Sequence, residues 1–145
     1  MIAAVAGLVP GCAFAHEAIR PQPKSYLSEA QNCRYRLHGQ NFSRTDLLFG
    51  LARPGGPEIT EQEFQRFINN EIAPRFPKGF TVLNGEGRFR GSSGIIVREP
   101  SKILILLYRF SQKSNRAIEA IRTNYKNSFR QESVLRIDEA SCVSF

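Results

Sequence analysis

Apolar positions along this chain change period several times, and each change marks an element. Leu47, Phe49 and Leu51 alternate with Leu48 and Gly50, which predicts a first strand that Pro54-Gly55-Gly56-Pro57 breaks. Thr60-Glu61-Gln62-Glu63 reads as a capping box: the Thr60 hydroxyl can accept from the Glu63 amide while Glu63 reaches back. After it, Phe64, Phe67, Ile68 and Ile72 fall on one helical face, and Pro74 and Pro77 end that helix. Phe80 to Leu83 predicts a second strand running irregularly through Gly85 and Gly87 to Phe89, with Gly91-Ser92-Ser93-Gly94 as a hairpin turn. The return strand begins at Ile95-Ile96-Val97, is expected to bulge at Pro100, and becomes the run Ile103 to Tyr108. Ser111 or Ser114 caps a second helix whose Ile118, Ile121, Tyr125 and Phe129 share a face. Val134 to Ile137, then Cys142 to Phe145, supply the last strand.

Strand, helix, strand, strand, helix, strand is the ferredoxin-like βαββαβ order of an α+β fold: a four-stranded antiparallel sheet with both helices on one face. In it the last strand lies beside the first. Cys33, ahead of strand one, and Cys142, at the end of strand four, therefore become neighbours, and a disulfide is expected. The unbroken run Ile103 to Leu107 does not alternate as a half-wet strand should, so the helix-free face needs a cover. Either residues 16–43 fold across it, or a second copy packs sheet to sheet as a dimeric α+β barrel, and a homodimer is the favoured expectation.

The start of the chain adds a compartment. Residues 1–15 (MIAAVAGLVPGCAFA) carry no charge and are apolar from Ile2 to Val9, as a leader is, although no Lys or Arg precedes the apolar stretch. Two exits are open: Ala13-Phe14-Ala15 has the A-x-A form for cleavage before His16, and Val9-Pro10-Gly11-Cys12 resembles a lipoprotein box with Cys12 lipidated. Residues 16–43 read as linker and lead-in, and residues 44–145 as a single α+β domain. The expected localisation is the periplasm or a lipid anchor on the cell envelope, where a disulfide persists. Without an apolar run of about 18 residues, no mature transmembrane helix is expected and membrane contact would come through the lipid alone.

The net charge of +7 belongs wholly to the part behind the leader. It suits anionic partners, although solubility alone explains it as simply. The basic residues are scattered and lack an aromatic-rich basic motif, so nucleic acid is not an expected partner. From Leu48-Phe49-Gly50-Leu51 through Pro74-Arg75-Phe76-Pro77 and Gln131-Glu132-Ser133-Val134-Leu135-Arg136 to Cys142-Val143-Ser144-Phe145, the chain resembles a set of small bacterial exported proteins catalogued as a domain of unknown function. The resemblance covers residues 45 to 145. It implies bacterial origin and export, and no activity.

Candidate chemistry is thin. Glu71 is placed by helical spacing on the apolar face, with Arg75 the nearest partner; it reads either as a perturbed acid/base or as a structural ion pair, and the pair is the simpler account. Arg88, Arg98 and Lys102 gather on the hairpin near the expected bulge and, with Arg75, could bind an anion. A turn centred on Ser92 and Ser93 sets Arg88 opposite Val97 and Glu86 opposite Glu99, with Arg98 pointing the other way. Only His16 and His38 are present, no His/Cys/Asp cluster has zinc spacing, and no cofactor motif occurs, so neither a metal nor a cofactor is expected. Two functions are carried forward: an exported, non-enzymatic protein binding an envelope component or small anionic ligand, and a cofactor-free enzyme of the dimeric α+β-barrel type. The second would use Glu71 or Glu132 as acid/base, Arg75 to hold an anionic substrate and Tyr125 as a donor.

Overall fold

The computed structural model describes residues 29–90 and 92–145. The stretch expected to be a leader, with Cys12, and Gly91 lie outside them. The chain runs α1 (Glu29–Arg36), β1 (Gln40–Gly50), α2 (Glu61–Phe67, continued by a π-helical turn Ile68–Ile72), β2 (Thr81–Arg90), β3 (Ile96–Tyr108), α3 (Gln112–Phe129) and β4 (Leu135–Val143). The four strands form one antiparallel sheet in the order β2-β3-β1-β4. With α2 and α3 on one face this is the ferredoxin-like arrangement. Leu47, Phe49, Leu104 and Leu106 of the central strands meet Phe64, Phe67 and Ile72 of α2 and Ile118, Ile121, Tyr125 and Phe129 of α3 in one core.

The caps are as the sequence dictates. Thr60 accepts from the Glu63 amide at 3.2 Å while the Glu63 carboxylate accepts from the Thr60 amide at 2.9 Å. Both serines serve α3: Ser111 is the N-cap and Ser114 completes a reciprocal box. Cys33 and Cys142 are joined across 109 residues of sequence, with Asn41 of β1 paired opposite Cys142 of β4.

The ordered lead-in expected around Cys33 is a helix, α1, and β1 begins at Gln40. Three local expectations are corrected. The final strand is continuous from Leu135 to Val143. The hairpin register is one residue longer on the β3 side: Arg88 pairs with Arg98 and Glu86 with Pro100. Gly94, with φ at +78°, turns the chain later than a turn centred on Ser92 and Ser93 would. That single step changes faces, so Arg98 joins Glu86 and bonds it at 2.5 Å instead of pointing away. No bulge occurs at Pro100. Its carbonyl accepts from the Leu51 amide on the β1 side, where β1 has just ended, so its missing N–H removes no ladder bond.

Candidate functional site

Pro74, Pro77 and Gly79, the last with φ at +120°, hold residues 74–80 out of both helix and sheet. β2 therefore starts late, at Thr81 opposite Ile105, and leaves Leu106 to Tyr108 of β3 without a partner on that side. The resulting gap is an open cleft of about 1160 Å³. Its floor and walls are aromatic and aliphatic: Phe42, Phe76, Phe80, Ile105, Leu107, Tyr108 and Phe145. Among the described residues its charged lining is Arg75, Lys78, Arg109 and Lys113, with no Asp or Glu.

Each cation has a different standing. Arg75 is half-buried, pairs with Glu71 at 3.0 Å and donates to the Glu71 carbonyl at 2.6 Å, so its charge is partly neutralised. Arg109 donates to Gln40 and lies over the Phe42 ring at 5.3 Å, which fixes its position without cancelling its charge. Lys78 and Lys113 have no partner among the described residues. Lys113 stands in the first turn of α3, a turn with no acidic residue. A cation there is unfavourable beside the positive end of the helix dipole, and the two add to the positive potential of the cleft.

Behind Tyr108 a polar chain enters the protein. Thr45, fully buried, donates to Asp138 at 2.6 Å and lies 2.8 Å from the Tyr108 hydroxyl. With the single Thr45 proton given to a carboxylate, Tyr108 is the donor to Thr45. Arg136 joins Asp138 at 2.8 Å to Glu119 at 2.7 Å, and Arg122 holds Glu119 and the Val134 carbonyl. Burial works to raise the Asp138 carboxyl, but the Thr45 hydroxyl and Arg136 outweigh it and hold the group below its ordinary value. At Glu119 burial is likewise outweighed, by Arg136 and Arg122. Glu63 is held down at about 2 by the Arg53 guanidinium and by its capping bonds from Thr60. All three contribute stability that is present above the unfolded carboxyl range and lost as pH falls through the folded values. The melting temperature is thus expected to be flat above about pH 5 and to fall steadily toward about pH 2. Thermal melts across that window check this; an unchanged melting temperature would contradict it.

The residues singled out from the sequence do not converge. The π turn, closed by the Ala73 amide on the Ile68 carbonyl, leaves Glu71 half-buried between Arg75 and the Asn124 amide, which donates to it at 2.5 Å. That is the structural pair. Tyr125 is buried and donates to the Gly50 carbonyl at 2.8 Å; burial, then the Glu99 charge, pushes its phenol well above the usual range. Glu132 accepts from the Ser92 amide and hydroxyl and so ties the hairpin tip to the end of α3. Lys102 is buried, bonded to Glu61 at 2.5 Å and Asn84 at 2.7 Å, with its ammonium over the Phe64 ring. Arg88 and Arg98 lie on the hairpin arm, Arg98 paired with Glu86. Of all these, Arg75 alone lines the cleft. Lys78, Tyr108, Arg109 and Lys113 were not singled out; the acid-free first turn of α3 was the available signal. Among the described residues no group of His, Cys, Asp or Glu is placed to hold a metal ion, and no helix is long and apolar enough to cross a membrane.

Residues 44–145 match the family model described as protein of unknown function (DUF3574), well over half of the chain, and the chain belongs to that family. No curated protein matches the sequence. Among solved structures, the chain is similar to a phage SAM lyase in complex with S-methyl-5′-thioadenosine, at 18% identity over 72% of this chain and 90% of that one, with a TM-score of 0.56. A phage SAM lyase in the apo state gives 17% identity over the same shares and 0.53. CutA from Synechococcus elongatus, complexed with a Bis-Tris molecule, gives 12% identity over 71% and 86% of the two chains, and 0.45. At these identities the likeness to the lyase shows the fold alone.

Proposed function

We propose that this member of the family is an exported binding protein whose cleft takes a small ligand with an apolar body and an anionic group. The carrying observation is the lining: aromatic and aliphatic surface rimmed by Arg75, Lys78, Arg109 and Lys113, with no acidic side chain among the described residues. Apolar walls supply burial, and a few placed charges supply orientation. Export is part of the same reading: the uncharged leader and the Cys33–Cys142 bridge both suit an oxidising envelope compartment.

Catalysis by Glu71 or Glu132 with Arg75 and Tyr125 has less support, because three of those four side chains are held in structural bonds away from the cleft. The fold shared with the phage lyase makes S-methyl-5′-thioadenosine a useful second probe.

The test uses 8-anilinonaphthalene-1-sulfonate and its uncharged relative N-phenyl-1-naphthylamine as fluorescent probes. The sulfonate is expected to bind more tightly, to weaken with salt, and to lose about tenfold in affinity when Lys78→Ala and Lys113→Ala are combined, while the uncharged probe is unaffected. Equal loss for both probes, or none for the sulfonate, would remove the anion reading. Saturable binding of S-methyl-5′-thioadenosine in the cleft, with its turnover, would favour the enzyme.

A further inference from the structure

The helix-free face of the sheet carries a row that crosses all four strands. Register sets Leu83 of β2 beside Ile103 of β3, Leu48 of β1 and Leu135 of β4. The next row holds Thr81, Ile105, Asp46 and Ile137. The outer members of these rows are open to solvent, Leu83 at 47%, Leu135 at 56% and Ile137 at 48%, as is Leu107 one row on at 44%, while Leu48, Ile103 and Ile105 between them are half-buried. A Cβ at Gly85 would lie 3.0 Å from the Ser101 hydroxyl and 3.3 Å from the Ile103 Cδ1, so glycine there lets Ile103 lie across its neighbour. An apolar sheet face this continuous marks an interaction surface.

We propose that a second copy of this chain packs on this face, sheet against sheet about a two-fold axis, and in doing so closes the outer wall of the cleft. Charge selects the occupant. The molecule carries +7, so two copies repel over most orientations. This face carries Arg44 and, at its cleft edge over the Phe42 ring, Arg109 against Asp46, Glu139 and Glu99, and Arg44 is already paired within its own copy to Asp46 at 2.9 Å and Glu139 at 3.2 Å. An isologous contact needs a patch that complements itself, and this face, with two cations against three carboxylates, lets two copies of a +7 molecule meet without facing a row of like charge. Four strands at about 4.8 Å spacing and about eight residues at about 3.3 Å give a footprint of about 500 Å² per copy. Side-chain relief and the cleft rim bring this toward the roughly 800 Å² per partner of a stable pair.

The link to the cleft is direct. Phe42, Ile105 and Leu107 belong both to its lining and to the helix-free face, and the Phe145 ring packs edge-on against Phe42 at 6.1 Å. A sheet laid over this face covers that side of the gap while the rim of Lys78 and Lys113 stays open. This part of the proposal rests on the cleft being the binding site.

Sedimentation of the full chain, alone and as the Leu135→Lys, Ile137→Lys double variant, tests it. Both substituted positions are solvent-exposed within one copy, and circular dichroism checks that the variant keeps its fold. The wild type is expected to be a dimer at micromolar concentration and the variant a monomer. The sulfonate probe is expected to weaken about fivefold or more in the variant, with Lys78 and Lys113 untouched. A monomeric full chain, its face covered instead by residues 1–28, overturns the proposal, as does a variant that remains dimeric. A monomeric variant with unchanged probe affinity overturns the closure of the cleft. A wild-type dimer that binds no probe upholds the interface and sinks the binding reading.

Discussion

Replacing Cys33 and Cys142 together by alanine is expected to lower the free energy of unfolding by about 4 kcal/mol, read from urea titrations of the oxidised wild type and the variant. The bridge spans 109 residues, from α1 to the end of β4, so it constrains nearly the whole described chain in its unfolded state. In the folded state it adds little that the ladder lacks, because β1 and β4 already pair from Gln40–Val143 to Leu48–Leu135. Its native contact is tight nonetheless. The sulfurs pack where a Cβ on Gly39 would stand, 2.4 Å from Cys142 Sγ and 3.0 Å from Cys33 Sγ, so glycine is needed there. α1 is eight residues long and touches β1 and β4, and besides the bridge the Gly39 amide bonds the Cys33 carbonyl at 2.8 Å. A helix this short does not persist alone. Hydrogen exchange is therefore expected to show α1 losing protection before the sheet does. A loss below about 1 kcal/mol would mean that strand pairing, not the bridge, holds the chain ends together.

How far the sequence foretold this fold depends on whether the deciding signal was local. The Thr60 and Ser111 caps, the apolar faces of α2 and α3, and the antiparallel neighbours β1 and β4 follow from short-range spacing and topology, and all stand. The gaps and errors arose where tertiary context decides. α1 is too polar to show a period, and the bridge and the β1–β4 edge give it its place. Pro100 suggested a bulge because proline lacks a donor, but the end of β1 had already freed that position from the ladder. The hairpin register turned on one residue after Gly94. The site was less legible still. Charged residues look alike in sequence, and only folding showed that Lys102 is neutralised by Glu61 while Lys113 is not. The cleft itself comes from a strand that starts late, which no side-chain pattern announces.

Phe49→Ala is expected to be the most damaging single substitution in the core, at about 3 to 5 kcal/mol. Phe49 is fully buried, and its ring lies 4.5 Å from Tyr125, 5.7 Å from Phe64 and 6.2 Å from Phe67, all three edge-to-face or tilted. Truncation leaves a cavity between a strand and two helices, and the Tyr125 ring cannot move into it while its hydroxyl is bonded to the Gly50 carbonyl. Phe49→Leu, which keeps most of the volume but none of the ring geometry, is expected to cost about half as much. Phe49 and the bridge lie toward opposite ends of β1, eight residues and about 27 Å apart between Asn41 and Phe49. Their effects should therefore add. A chain lacking both would lose about 7 to 9 kcal/mol, against a total of about 5 to 15 for an ordinary domain, and is expected to be largely unfolded in water. The aromatic cluster does not line the cleft, so folded Phe49→Leu protein should bind the sulfonate probe as the wild type does. A parallel loss of binding and stability in that variant would show that the cleft and the cluster unfold as one unit.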